Sequence, residues 1–166
     1  GHGITVTFLQ LLKAYTTFNN DGKIVTPYLV NNIKSITNKP YLKEQSIQII
    51  KKSTANEIKR ILIKTVQKGT GRGTIIENIE IGGKTGTANI SNGRSGYSSS
   101  KYISSFFGFA NDENNKYTIG VTIREPISRG KNKDYYYASK SAVPVFKNVV
   151  KTLVKLNYLK PKIKNN

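Results

Sequence analysis

The stretch Gly82-Gly83-Lys84-Thr85-Gly86-Thr87-Ala88 places one fixed positive charge, two hydroxyls and three glycines within seven residues. Ile79 and Ile81 precede it and Ile90 follows. These β-branched flanks predict a strand, and glycines inside a strand mark close approach by a ligand or another backbone. Such a strand can receive a carboxylate: the Lys84 ammonium supplies charge, Thr85 and Thr87 supply hydroxyl donors, and the backbone N–H groups stay reachable. The same residues also fit a glycine-rich strand kept for packing, and a bare Lys-Thr-Gly does not separate the two. A phosphate-binding loop is rejected. It needs a glycine five positions before Gly83, where Asn78 stands, and a following helix, where Thr87 to Gly93 reads as strand and turn.

The elements that must position this stretch follow from hydrophobic periodicity. Thr7-x-x-Gln10 has the form of a capping box, and Phe8, Leu11, Leu12, Tyr15 and Phe18 recur at helical spacing, predicting a helix over 8–18. Asn19-Asn20-Asp21-Gly22 ends it. Ile24 to Ile36 reads as extended, and Pro27 makes it an edge hairpin. Ser53 is the expected N-cap of a second helix with Ile58, Ile61, Leu62, Thr65 and Val66 as its buried stripe, stopped by Gly69 or Gly71. Because Gly69 to Gly73 follows a helix, it is a C-cap and tight turn. Ser91 to Ser100, rich in Ser and Gly, is an expected mobile loop. Tyr102–Ala110 and Lys116–Arg124 are strands around a turn at 111–115, so three antiparallel strands are expected. Glu125 to Tyr137 is a basic loop. A last helix starts near Ser141, with Pro144 in its first turn and Phe146, Val149, Val150, Leu153 and Leu156 on its apolar face.

Composition narrows the chemistry. The 166 residues suit one domain, 1–159, followed by a basic, frayed tail, 160–166. With no cysteine, disulfides and thiolate metal sites are excluded; the only histidine, His2, sits at a chain end and is read as an added residue, not a ligand. No cofactor or metal is expected. No apolar run is long enough to span a membrane, and no signal peptide is visible. The chain has no methionine and opens on glycine, and is expected to be an excised piece. The net charge of +18 favours anionic partners in general, yet the lysines are scattered and several, such as Lys147, Lys151 and Lys155, form solvated helix faces. No nucleic-acid partner is expected.

Gly82 to Ala88 resembles the Lys-Thr-Gly-Thr box of penicillin-binding proteins, the serine D,D-transpeptidases that cross-link peptidoglycan. Gly3 to Leu11 resembles the helix start after the family's second motif, and Lys68-Gly69-Thr70-Gly71 the segment leading into the box. Ser104 to Ala110 resembles the next strand and Ala142-Val143-Pro144-Val145-Phe146 the start of the last helix. Phe8 stands where the family usually has proline, and Ala138-Ser139 where a Gly-Gly pair is common. The resemblance is to the C-terminal part of a class B transpeptidase domain, nearer the division type. It implies an α+β fold, the C-terminal portion of the β-lactamase/transpeptidase-like fold. It further implies a stem peptide ending in D-Ala-D-Ala as substrate, β-lactams as inhibitors and other wall-synthesis or division proteins as partners. The expected location is the extracytoplasmic side of the bacterial membrane, anchored by an N-terminal segment absent from this chain. By resemblance Lys84 holds charge near the substrate carboxylate and assists proton relay. Thr85 and Thr87 donate hydroxyls to that carboxylate, the Thr87 N–H forms half of an oxyanion hole, and Gly86 leaves room for substrate along the strand.

The family's nucleophile is the serine of a Ser-x-x-Lys motif that precedes the box. Ser98-x-x-Lys101 and Ser128-x-x-Lys131 match formally, but both follow it. With 13 serines and 22 lysines, chance alone gives about 1.7 such matches. No Ser-x-Asn second motif occurs. The chain by itself is therefore expected to be inactive. A serine β-lactamase fragment and a non-catalytic, polyanion-binding module are the alternatives. In the family the last strand pairs with an N-terminal strand lacking here, so an open edge and self-association are expected.

Overall fold

The computed structural model describes residues 4–29, 45–127 and 134–162. His2, the Ser128-x-x-Lys131 match, most of the segment expected to form an edge hairpin and residues 163–166 lie outside them. The described elements are α1 (Phe8–Asn19), β1 (Lys23–Ile24), β2 (Ile47–Gln48), α2 (Lys52–Lys68), β3 (Glu80–Ser91), β4 (Tyr97–Asn111), β5 (Lys116–Arg124) and α3 (Ala142–Lys155). The fold is α+β, with β3, β4 and β5 forming an antiparallel sheet in that order and helices against both faces.

Local chemistry sets the first helix. The Thr7 hydroxyl accepts from the Gln10 N–H at 3.2 Å while the Gln10 side chain accepts from the Thr7 N–H at 2.8 Å, closing the expected capping box. Asp21 and Gly22 turn the chain out with φ of 53° and 86°, and the Gly22 N–H closes on the Thr17 carbonyl at 2.9 Å. Of the described part of the expected hairpin only Ile24 is in a strand; with Lys23 it forms β1, whose partners are Ile47 and Gln48.

Three expectations need correction. Helix α2 begins two residues early: its first turn closes from the Ala55 N–H onto the Lys51 carbonyl at 3.0 Å, so Ser53 lies inside the helix and is not its cap. Its buried line is Ala55, Leu62 and Val66, and Ile61, turned 100° from Leu62, is 61% exposed. Half of the serine-rich segment 91–100 is strand, Ser91 ending β3 and residues 97–100 opening β4. Pairing of β3 with β4 runs on through Asn89↔Tyr102 to Ser91↔Tyr97 across a bulge, leaving only 92–96 as the reversal. The ladder satisfies backbone groups whatever the side chains, and polar side chains suit a hairpin that projects into water. Finally, Lys160 and Lys162 are tied down, the first by its N–H to Asp112 at 2.6 Å and the second by an ion pair to Glu113 at 2.6 Å, next to buried Leu159.

The core lies between the sheet and α3. Phe106 of β4 meets Phe146 of α3 edge-on at 4.6 Å, both fully buried, among Val66, Ile79, Ile81, Val121, Val143 and Val150. Each such ring contributes about 1.5–3 kcal/mol by burial. Val149 and Leu156, assigned by periodicity to the apolar face of α3, are exposed; Val143 takes their place. Phe107 points to the other face, where it packs on Phe8 at 5.3 Å and Tyr15 at 5.7 Å. Among the described residues β5 pairs only with β4, while its Val121 is buried and Ile119 and Ile123 pack on the core.

A polar chain pins the root of β3. Asn19 and Asn111 exchange amide bonds at 3.1 and 2.7 Å, Asn111 donates to Glu80 at 2.9 Å, and Glu80 pairs with Lys59 at 2.6 Å. Partial burial opposes the charge on Glu80. Its bonds from Lys59 and Asn111 outweigh that cost together and hold the carboxyl below its ordinary range. One cluster thus joins α1, α2, β3 and β4 four residues before Lys84.

Candidate functional site

Among the described residues strand β3 is an unpaired edge of the sheet, opposite β5, and the box occupies its middle. Register pairs Lys84 with Phe107 and Gly86 with Ser105 on the α1 face, and Thr85 with Phe106 and Thr87 with Ser104 on the α3 face. The side chains then converge in part. The Lys84 ammonium bends back to donate to the Thr85 carbonyl at 3.0 Å and lies 3.4 Å from the Thr85 hydroxyl. Among the described residues Lys84 has no carboxylate partner within ion-pair distance. Its charge is available to a ligand.

Thr70 is the residue that sequence reasoning passed over as a mere lead-in. Its hydroxyl lies 2.7 Å from the hydroxyl of Thr85. The two are fifteen positions apart, so no local pattern announces the contact. Thr87 does not join this cluster: its hydroxyl accepts from the Ala138 N–H at 3.2 Å, and its neighbour Ser104 donates to the Tyr136 carbonyl. The loop before α3 is thereby stitched to the back of the box strand. Ala138 supplies the backbone donor of that stitch.

Gly86, Thr87 and Ala88 also line a cleft of about 630 Å³ on the α1 face. Its other walls come from Ile4 to Phe8, from Ser105 and Phe107 of β4, and from Tyr97 and Arg124 at the far end. At Gly86 a Cβ would stand 2.6 Å from the Ser105 hydroxyl, so the glycine keeps the floor of the cleft low. Lys84, Thr85 and Thr70 do not line this cleft; their ammonium and paired hydroxyls form a separate cluster whose chemistry suits a carboxylate.

Ser98 and Lys101 do not form a nucleophile–base pair. Ser98 and Lys101 sit on strand β4, where a spacing of three sends side chains to opposite faces. Lys101 is paired with Glu125 at 3.3 Å, and the Ser98 hydroxyl accepts from the Ser100 and Lys101 N–H groups at 3.3 and 3.0 Å. No helix of the described residues is long and apolar enough to cross a membrane.

Comparison with known proteins decides the family. The sequence profile described as "Penicillin binding protein transpeptidase domain" matches residues 1–151. The chain belongs to the penicillin-binding protein transpeptidase domain family. It is 34% identical over 152 residues to the "Probable peptidoglycan D,D-transpeptidase PenA" of Neisseria meningitidis, covering 90% of this chain and 24% of that protein. It is 34% identical over 131 residues to "Stage V sporulation protein D" of Bacillus subtilis, covering 76% and 20%. Among solved structures, the apo transpeptidase domain of penicillin-binding protein 3 from Burkholderia pseudomallei superposes with a TM-score of 0.75 at 27% identity, covering 98% of this chain and 46% of that one. The resemblance to class B transpeptidase domains drawn from the box is borne out, and so is the α+β fold. The chain spans about a quarter or less of the length of these curated relatives.

Proposed function

We propose that this chain provides the carboxylate-recognising wall of a serine D,D-transpeptidase that cross-links peptidoglycan stem peptides through an acyl-enzyme. The observation that carries the proposal is the cluster on β3, where the Lys84 ammonium, free of any acid among the described residues, lies 3.4 Å from the Thr85 hydroxyl, which is itself 2.7 Å from that of Thr70. A stem peptide laid along β3 brings its terminal D-Ala carboxylate to Lys84 and Thr85, and Gly86 lets its backbone approach. The Thr87 N–H serves as one oxyanion donor for the tetrahedral intermediate, held in place because its side chain is bonded to Ala138. A serine outside this chain attacks the penultimate D-Ala carbonyl, D-Ala leaves, and an amine of a neighbouring stem peptide takes the acyl group. β-Lactams, which mimic the D-Ala-D-Ala end, acylate the same serine. The complete protein works on the outer side of the cytoplasmic membrane, anchored by a segment beyond this chain and in company with other wall-synthesis or division proteins.

The test is intact mass after incubation with a labelled penicillin. The complete protein gains one adduct, and Lys84→Ala slows its formation. The present chain alone gains none. A stoichiometric adduct on Ser98 of the isolated chain overturns the assignment of the nucleophile to another part of the protein.

A further inference from the structure

We infer that Thr70 is a positioning residue of the box, fixing which way the Thr85 hydroxyl donates. The inference rests on Lys84 and Thr85 receiving a carboxylate, as proposed above. A threonine hydroxyl has one proton and two acceptor sites. At Thr85 one acceptor site faces the Lys84 ammonium at 3.4 Å, and an ammonium can only donate. The other faces the Thr70 hydroxyl at 2.7 Å. When Thr70 donates, both acceptor sites of Thr85 are occupied by donors. The single Thr85 proton is then left pointing away from both, committed to an outside acceptor such as a carboxylate oxygen. Without the Thr70 hydroxyl that acceptor site is empty, and the Thr85 proton is free to swing toward it instead of staying directed outward.

The turn that carries Thr70 is built to hold it there. The Gly69 N–H closes α2 on the Thr65 carbonyl at 3.0 Å, and the Arg72 N–H bonds the Gly69 carbonyl at 3.3 Å. Thr74, fully buried, bonds the Gly71 carbonyl twice, through its N–H at 2.9 Å and its hydroxyl at 2.8 Å. Gly71 lies against the Phe106 ring, where an added Cβ would stand 3.3 Å from it, and Phe106 is the cross-strand partner of Thr85. One ring therefore sets the height of both ends of the Thr70–Thr85 contact. The rigidity of the turn is what makes a single hydroxyl between two elements a directional device.

Two variants at this position, with Lys84→Ala as a control, separate positioning from folding. In the complete protein, second-order acylation is measured with a penicillin bearing its free carboxylate and with the methyl ester of the same penicillin. Thr70→Val is isosteric and should slow the free acid about three- to tenfold, the loss expected for one hydrogen bond, while changing the ester less than twofold. Thr70→Ser should restore the free-acid rate, and Lys84→Ala should show the same acid-over-ester selectivity as a control. Equal slowing of acid and ester, or no slowing of either, overturns the inference. A second readout needs no activity. Three-bond couplings in this chain should report one Thr85 rotamer in wild type and Thr70→Ser but an average in Thr70→Val; a single rotamer in all three also overturns it. Absence of wild-type acylation in the complete protein would instead remove the proposed function, and the couplings would still decide the role of Thr70.

Discussion

Gly83→Ala separates ligand approach from packing as the reason for glycine beside the box. Gly83 is buried under its neighbours on β4, not under open solvent. An added Cβ would sit 2.6 Å from two atoms of the Phe106 ring and 2.7 Å from the Phe107 carbonyl oxygen. Tight but real contacts begin near 3.0 Å and ordinary ones near 3.4 Å, so the ring must retreat by roughly 0.8 Å. It has nowhere to go: Phe106 is fully buried, Phe146 closes one side at 4.6 Å and Gly71 rests on another. The Phe107 oxygen is backbone within the ladder and cannot rotate away. Overpacking of this kind costs about 1–3 kcal/mol, and the backbone clash places Gly83→Ala at the upper end, about 2–3 kcal/mol. For a chain of this size that lowers Tm by roughly 4–12 °C. Urea and thermal unfolding followed by circular dichroism measure it. Trimming the ring with Phe106→Leu in the same molecule should recover at least about 1 kcal/mol relative to the sum of the single changes. A Gly83→Ala variant within about 0.5 kcal/mol of wild type, or additive with Phe106→Leu, would refute the packing account.

Two further outcomes can be checked on the same chain. Asp112 is held down to about 2 by its bonds from the Asn115 side chain first, then from the Lys160, Asn114 and Asn115 backbone N–H groups. A carboxyl lowered on folding adds stability that is present above its unfolded pKa, near 3.8, and is lost as pH falls toward 2. An NMR titration should place its midpoint near 2, and Asp112→Asn should flatten the stability curve over that window while a midpoint near 3.8 rejects the network. The outer edge of β5, unpaired among the described residues, and the exposed Phe8 and Leu9 of α1 predict self-association through paired β5 edges. Sedimentation over a range of concentrations should show a concentration-dependent dimer that Thr122→Pro on this strand weakens; a monomer throughout rules the pairing out.

Helix α1 was legible down to its cap because Thr7 and Gln10 act on neighbours three residues away and Phe8 to Phe18 keep helical spacing. The three sheet strands were legible from β-branched runs, and the family from the box and its flanking segments in order. All of these are local, or are patterns along one strand or helix, so chain order alone carries them. The same sequence could not say which residues meet across elements. Thr70 reaches Thr85, Ala138 reaches Thr87 and Asn19 reaches Asn111 over separations of 15, 51 and 92 residues. Such contacts depend on how helices settle on the sheet. That is set by the fit of Phe106, Phe107 and Phe109 into gaps left by Gly71, Gly82, Gly83 and Gly120. Composition likewise marked residues 91–100 as loop, since their side chains favour water, whereas the ladder that makes half of them strand is a property of backbone groups finding partners in space. Residue types along the chain thus marked which side chains are candidates to receive a carboxylate, and close packing in three dimensions decided which of them stand together.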